Sequence, residues 1–256
     1  MILELNNLKT RIIGKRILFI EEINSTNDEA RRLAKLGEKE GTVVVAAAQL
    51  KGKGRFNRRW ISPMGGIYLS IILKPYISSS KLPILTILSA VAVVRTIRGL
   101  TKLDASVKWP NDIIMSGKKV GGILCEAVKN TVIVGIGINL NVNLSLFPPP
   151  LKKQVTSIKF ELGANVGRDK VIKILLEEFD KLYRDFLHRR QDEIVSEWSS
   201  FCENLGNKVK IETIEGTISG FAEKVGSRGE LIVRGYDGKI KKVFSGDVMK
   251  VNLEHI

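Results

Sequence analysis

The sequence predicts an α+β protein in two parts: a hairpin-rich sheet with helices over residues 1–205, and a small β-barrel over 206–256. Three observations carry this. The runs TVVVAAAQ, IYLSIIL and TVIVGIGINLNV have the length and β-branched content of buried strands. Residues 84–100 overlap the longest apolar stretch and read as a helix, and residues 168–202 place apolar residues at helical spacing. From Asn207 onward, short β-rich segments alternate with Gly and Asp turns, the pattern of a small barrel.

Each element follows from local chemistry. Residues 10–22 (TRIIGKRILFIEE) read as strand on both sides of a turn at Gly14. NSTNDEARRLAKLGEKEG reads as a helix: Thr26 and Glu29 form a capping box, Leu33 and Leu36 the apolar stripe, and Gly37 the stop. TVVVAAAQ and IYLSIIL flank a cationic loop. Leu82–Val94 is too short to span a bilayer and contains Pro83, so it reads as a buried helix. SVKWPND is a short strand ending in a Pro-Asn-Asp turn, and Gly117 turns the chain into VGGILCEAV. FPPP at 147–150 is a stiff surface connection. In the long helical stretch Ile172, Leu175, Phe179, Leu182, Phe186, Ile194, Trp198 and Phe201 share a face, with a break near Gln191. The C-terminal strands are VKIETIEG, TISGFAEKV, ELIVRGYDG and KIKKVFSGDVMKV.

Composition narrows the function. Cys125 and Cys202 lack CxxC spacing, so neither a disulfide framework nor a zinc site is expected, and a reducing cytoplasm fits. The start, MILELNNLKT, lacks a signal-peptide layout, and no membrane partner is expected. The net charge of +14 suits nucleic acid, an acidic protein or polyphosphate, or a Lys-rich solvated surface. The two histidines, His188 on a polar helix face and His255 beside the C-terminus, argue against Ser-His-Asp catalysis and histidine metal clusters. Neither GxxxxGK[ST] nor GxGxxG occurs, so a bound nucleotide would need another cradle.

Four segments could supply one. Ser25, Thr26 and Asn27 start a helix, where free N–H groups and short polar side chains cap the helix or hold a ligand. Gln49 precedes Gly52-Lys53-Gly54-Arg55-Phe56-Asn57-Arg58-Arg59-Trp60, in which glycines let backbone close over an anion and arginine offers forked donors. In Lys108-Trp109-Pro110-Asn111-Asp112, with Lys119 across a hairpin, carboxylate and lysine could form an ion pair or hold Mg²⁺ and a polyphosphate. Gly135-Ile136-Gly137-Ile138-Asn139 is a strand that permits close approach, with an amide able to read a base.

In that order, STND, Q-x-x-G-[RK]-G-R-x-x-R-x-W-x-SP, KWPND, K-x-x-G-[IV]-L-x-E and GIGIN-x-N resemble the biotin protein ligase family over residues 18–142. The resemblance implies a mixed sheet like that of class II aminoacyl-tRNA synthetases, then an SH3-like domain. It implies a two-step reaction: biotin and ATP give biotinyl-5′-AMP and pyrophosphate, and a lysine of a biotin carboxyl carrier protein takes the biotin. Carried over, Ser25, Thr26, Asn27 and Gln49 hold biotin, while Gly52, Lys53, Gly54 and Arg55 cover its carboxylate and the α-phosphate. Arg58 and Trp60 meet phosphate and adenine, Trp60 as an aromatic lid. Asn139 meets adenosine, Lys119 the reacting carboxylate, and Asp112 serves as Mg²⁺ ligand or base. Two positions depart from the family. Lys53 stands for arginine, losing the fork, and Asn57, which tolerates positive φ less freely, stands for glycine. A homodimer is also implied. Some family members carry an N-terminal DNA-reading domain; the 24 strand-forming residues before Ser25 predict none here, and no specific nucleic-acid partner. The rivals are a lipoate ligase-type acyltransferase, which would lack the whole GKGR-x-x-R-x-W and KWPND string, and a nucleic-acid-binding protein, which would interleave more aromatics.

Overall fold

Strands β1 (Ile17–Ile23) and β2 (Val43–Gln49) run parallel, joined through helix α1 (Thr26–Lys35). The computed structural model describes residues 3, 5–78 and 81–249. Strand β3 (Ile67–Leu73) and helix α2 (Leu82–Thr101) follow, then β4 (Ala105–Lys108), β5 (Asp112–Met115), β6 (Lys118–Val128) and β7 (Thr131–Ile138). The sheet order is β1-β2-β3-β7-β6-β5-β4, and every pair but β1–β2 is antiparallel. This is a mixed sheet built mainly from hairpins.

The apolar runs reflect a sheet covered on both faces. Val43, Val45, Leu69 and Ile71 point into the main core with α2. Val44, Ile72 and Ile133 point the other way, onto Ala30 and Leu33 of α1. Helix α2 has the length and hydropathy of a membrane span, yet 67% of its apolar window is buried inside the fold. Pro83 sits in its first turn, where a missing N–H costs nothing. Two short helices, α3 (Pro149–Lys152) and α4 (Ile158–Leu162), precede α5 (Arg168–Leu187) and α6 (Gln191–Ser200), which pack on α2. The expected break lies at 188–190, where Arg189 takes φ +64°.

A second sheet comprises β8 (Lys208–Thr213), β9 (Gly216–Val225), β10 (Leu231–Gly235), β11 (Ile240–Val243) and β12 (Asp247–Met249), ordered β11-β10-β9-β8-β12 with antiparallel pairing throughout. Trp109, 2% exposed, ties the two sheets together. Its backbone N–H donates to Asn204 Oδ1 (2.7 Å) and its Nε1 to the Gly229 carbonyl (3.2 Å).

Four expectations are corrected. Residues 10–13 are not strand: the N–H groups of Arg11, Ile12 and Ile13 donate to the buried Asp180 carboxylate at 2.7–3.1 Å instead of to a ladder. The α1 cap is Ser25, not Thr26; Ser25 Oγ accepts from the Asp28 N–H, and Glu29 pairs with Arg32. Leu36 lies off the stripe, 72% exposed. The FPPP stretch is not all surface: Phe147 is buried with Val142 and Val155, and the last two prolines start α3. His188 is exposed at the C-cap of α5. His255, Lys250 and Val251 of the last expected strand, and Ile2 and Glu4 of the N-terminal strand-forming stretch, lie outside the described residues.

Candidate active site

The four segments meet on one cavity of about 1140 Å³, above the central strands and beside the second sheet. Lysines and arginines outnumber carboxylates on its wall.

One wall is the start of α1 against β2 and β3. Ser25, Thr26 and Asn27 are 1–5% exposed. The Thr26 N–H donates to Gln49 Oε1 (2.8 Å), and Gln49 Nε2 donates to Ser62 Oγ (2.9 Å). Ser70, fully buried on β3, lies 2.8 Å from Thr26 Oγ1 and donates to Asn27 Oδ1 at 2.6 Å. A serine inside IYLSIIL was the legible sign of this network, because a buried hydroxyl needs a partner. Asn27 Nδ2 donates to Glu126 Oε2 (2.6 Å), and the Arg31 guanidinium bonds to Glu126 Oε1 and to Asp28 Oδ1 (2.8 Å). Nothing local in the sequence pointed to the two Glu126 contacts, which join residues 95 and 99 positions apart.

The floor depends on two glycines of β7. A Cβ on Gly135 would lie 2.2 Å from Asn27 Oδ1, and one on Gly137 would lie 2.6 Å from Trp60 Nε1. Trp60 therefore rests on the sheet, with the Lys119 ammonium 5.3 Å from its ring centre. The expected aromatic lid is corrected: this indole forms floor, because glycine leaves room for it there. Its buried Nε1 has no hydrogen-bond partner among the described residues.

The cationic loop is a hairpin. Gly54 N–H donates to the Arg58 carbonyl (2.7 Å) and Trp60 N–H to the Gly52 carbonyl (2.9 Å), with a 3₁₀ turn at Arg55–Asn57. Phe56 and Asn57 both take φ near +55 to +58°, so the asparagine does occupy a left-handed position. Lys53 Nζ pairs with Asp28 (2.6 Å). Arg55 reaches the second sheet, donating to Ser245 Oγ (2.8 Å) and the Gly246 carbonyl (3.2 Å). Burial lowers its pKa from the ordinary arginine range, partly offset by Asp247 and Asp112. Arg58 pairs with Asp247.

Lys119 and Asp112 form an ion pair (2.6 Å) on neighbouring strands. Asn139, 1% exposed, donates from Nδ2 to the Thr156 carbonyl (3.0 Å), while its Oδ1 has no partner among the described residues. The segment holding both residues, 154–158, is bonded along β6: Lys119 N–H to the Gln154 carbonyl, Thr156 N–H to the Lys119 carbonyl. Among the described residues no three His, Cys, Asp or Glu side chains gather to bind a metal. Burial pushes the Cys125 thiol up to about 12 and Cys202 to about 11, so neither is a thiolate nucleophile at neutral pH.

Comparison with known proteins agrees with this geometry. Residues 19–143 match the model of the biotin/lipoate A/B protein ligase family. The chain is 39% identical to the bifunctional ligase/repressor BirA of Bacillus spizizenii, over 94% of this chain and 76% of that protein. It is 29% identical to the biotin–[acetyl-CoA-carboxylase] ligase of Paracoccus denitrificans, over 84% of this chain and 93% of that one. Among solved structures, the biotin protein ligase of Aquifex aeolicus in complex with biotin and ATP matches with a TM-score of 0.82 at 31% identity, covering 92% of this chain and 98% of that one.

Proposed function

The chain belongs to the biotin protein ligase family and is an ATP-dependent biotin ligase, and from that premise we propose how its residues divide the work. The biotin carboxylate oxygen attacks the α-phosphorus of ATP; the new P–O bond gives biotinyl-5′-AMP as pyrophosphate leaves. A carrier lysine then attacks the acyl carbon, forming an amide and releasing AMP.

Ser25, Thr26, Asn27 and Gln49 hold biotin. Support comes from the burial of Ser25, Thr26 and Asn27 beside the partly exposed Gln49, around a polar cavity already organised by hydrogen bonds. Gly52, Lys53, Gly54, Arg55 and Arg58 close over the carboxylate and phosphates, two anions that repel unless fixed cations lie between them. Lys53, Arg55 and Arg58 contact Asp28, Ser245, Gly246 and Asp247 in the structure. The ligand has to take these partners' place. Trp60 and Asn139 receive the adenosine; the observation that carries this reading is that the two site atoms Trp60 Nε1 and Asn139 Oδ1 are buried without partners among the described residues. Lys119 stabilises negative charge as it grows at the α-phosphate.

Asp112 fits Mg²⁺ as a single carboxylate supplement to nucleotide phosphates, the ordinary pattern for this ion. Bound there, Mg²⁺ would neutralise phosphate charge. The acceptor is the biotin carboxyl carrier domain of a carboxylase, approached through a basic mouth that includes Lys108, Lys118 and Lys153. The reading extends to a catalytic part over 1–205 and an SH3-like part over 206–256, and to a cytoplasmic homodimer; here the support is the family resemblance.

Incubation with biotin, Mg-ATP and a carrier domain, followed by mass spectrometry, tests the assignment. The expected result is pyrophosphate release with biotin and a biotin-mass increment on one carrier lysine. Turnover with lipoate and none with biotin would overturn it.

A further inference from the structure

A chain of ion pairs and hydrogen bonds runs behind the first wall. Glu126 on β6 accepts from two sides: Oε2 from Asn27 Nδ2 (2.6 Å) and Oε1 from Arg31. Arg31 also reaches Asp28, whose carboxylate holds Lys53 of the loop. Asn27 accepts from Ser70 at its oxygen and gives one N–H to Glu126; its second N–H has no partner among the described residues.

An asparagine amide is nearly symmetric in shape, so only its neighbours decide which end is donor and which acceptor. Ser70 cannot decide, because a hydroxyl accepts as readily as it donates. A carboxylate accepts only. Glu126 is therefore the group that fixes Nδ2, and with it the spare N–H that a ligand acceptor can meet. Arg31 offsets the charge this half-buried carboxylate brings and holds its other oxygen.

We propose that Glu126 is a positioning residue for biotin recognition, acting by fixing the orientation of the Asn27 amide, with Arg31 holding Glu126 in place. This rests on the reading that Asn27 contacts biotin. Glu126→Gln keeps the volume but offers one oxygen where two are used. Either the Arg31 bond fails, or a Gln amide faces Asn27 and the Asn27 amide can turn over. In that reversed state Ser70 accepts from Nδ2, and the spare donor is lost.

The test is pyrophosphate release by the full chain, with biotin and ATP varied separately. Glu126→Gln should raise the KM for biotin about tenfold, the scale of one charge-assisted hydrogen bond. The KM for ATP and kcat should stay within about twofold. In an Asn27→Ala background the same change should add nothing, because the amide it orients is gone. Glu29→Gln, which removes the Glu29–Arg32 pair from the exposed face of the same helix, serves as the control and should leave biotin KM unchanged. An unchanged biotin KM in Glu126→Gln with a lowered Tm would overturn the proposal and leave a plain structural ion pair. If Asn27→Ala itself leaves biotin KM unchanged, the site reading fails instead. Should Glu126→Gln not accumulate as folded protein, Arg31→Gln takes its place. A several-fold rise in biotin KM, partly restored by Arg31→Lys, is then expected, and an unchanged KM overturns the idea.

Discussion

The two walls of the cavity are finished to different degrees. On the α1 side, Ser25, Thr26, Asn27 and Ser70 are buried, and with the partly exposed Gln49 they are held by protein hydrogen bonds. On the loop side, cations are held by partly exposed carboxylates and a backbone carbonyl, and two buried polar atoms, Trp60 Nε1 and Asn139 Oδ1, have no partner among the described residues. The difference teaches where ligand energy goes. A prebuilt wall binds without reordering, whereas a wall whose cations are borrowed from other partners tightens only when phosphate replaces them.

That contrast breaks most visibly at Lys119. Removing a fixed cation from the reacting phosphate should lower kcat on the order of a hundredfold or more, the scale of one lost transition-state donor. Lys119→Met should show this in single-turnover adenylate formation while biotin affinity stays near its original value. Loss of affinity matching the loss of rate would place Lys119 on the binding wall instead. Arg55→Ala comes next. Without its fork the adenylate should leak about ten- to hundredfold faster, from ~1.5–3 kcal/mol for a buried charged hydrogen bond. Filter retention of labelled adenylate measures this, and unchanged leakage would mean Arg55 serves only its contacts with Ser245 and Gly246.

A control on the other side of the fold sharpens the comparison. Burial alone would raise the Asp180 pKa, but the N–H groups of Ile13, Ile12 and Arg11 together with Arg184 win, so the folded value is lowered. A carboxyl lowered on folding stabilises the protein above its unfolded pKa of about 3.9, and that gain is lost as pH falls through the folded value. Asp180→Asn should therefore cost about 2 kcal/mol at neutral pH, less in acid, with KM values unmoved. Denaturant titrations at pH 7 and pH 3 check both. The smallest effect is expected at Asp247→Asn. The Arg58 side chain is 66% exposed, so its ion pair with Asp247 contributes at most about 1 kcal/mol to stability. If releasing Arg58 matters, the variant should slightly favour adenylate retention, read by the same filter assay.

Much of this architecture was legible because local and global signals agreed. The runs of β2 and β3 read as buried strands since both faces are covered; α2 reads as a buried helix from its long apolar stretch, and α5 and α6 read as helices from their periodicity. The motif residues around the cavity were legible as types and spacings. What escaped was decided at a distance. Residues 10–13 have strand chemistry, but a carboxylate about 167 positions away takes their N–H groups. Ser25, Thr26 and Asn27 can each cap a helix, and only Gln49 and Ser70 decide that Thr26 turns inward. Arg55 and Arg58 looked committed to phosphate; their protein partners Gly246 and Asp247 lie some 190 residues on.

Amide hydrogen exchange on the free protein, and with biotin plus a non-hydrolysable ATP analogue, tests the contrast most directly. The account predicts that residues 52–60 gain strong protection on ligand binding, while the first turn of α1 and strand β2 are protected from the start and change little. Equal gains on both walls, or a loop already fully protected without ligand, would contradict it.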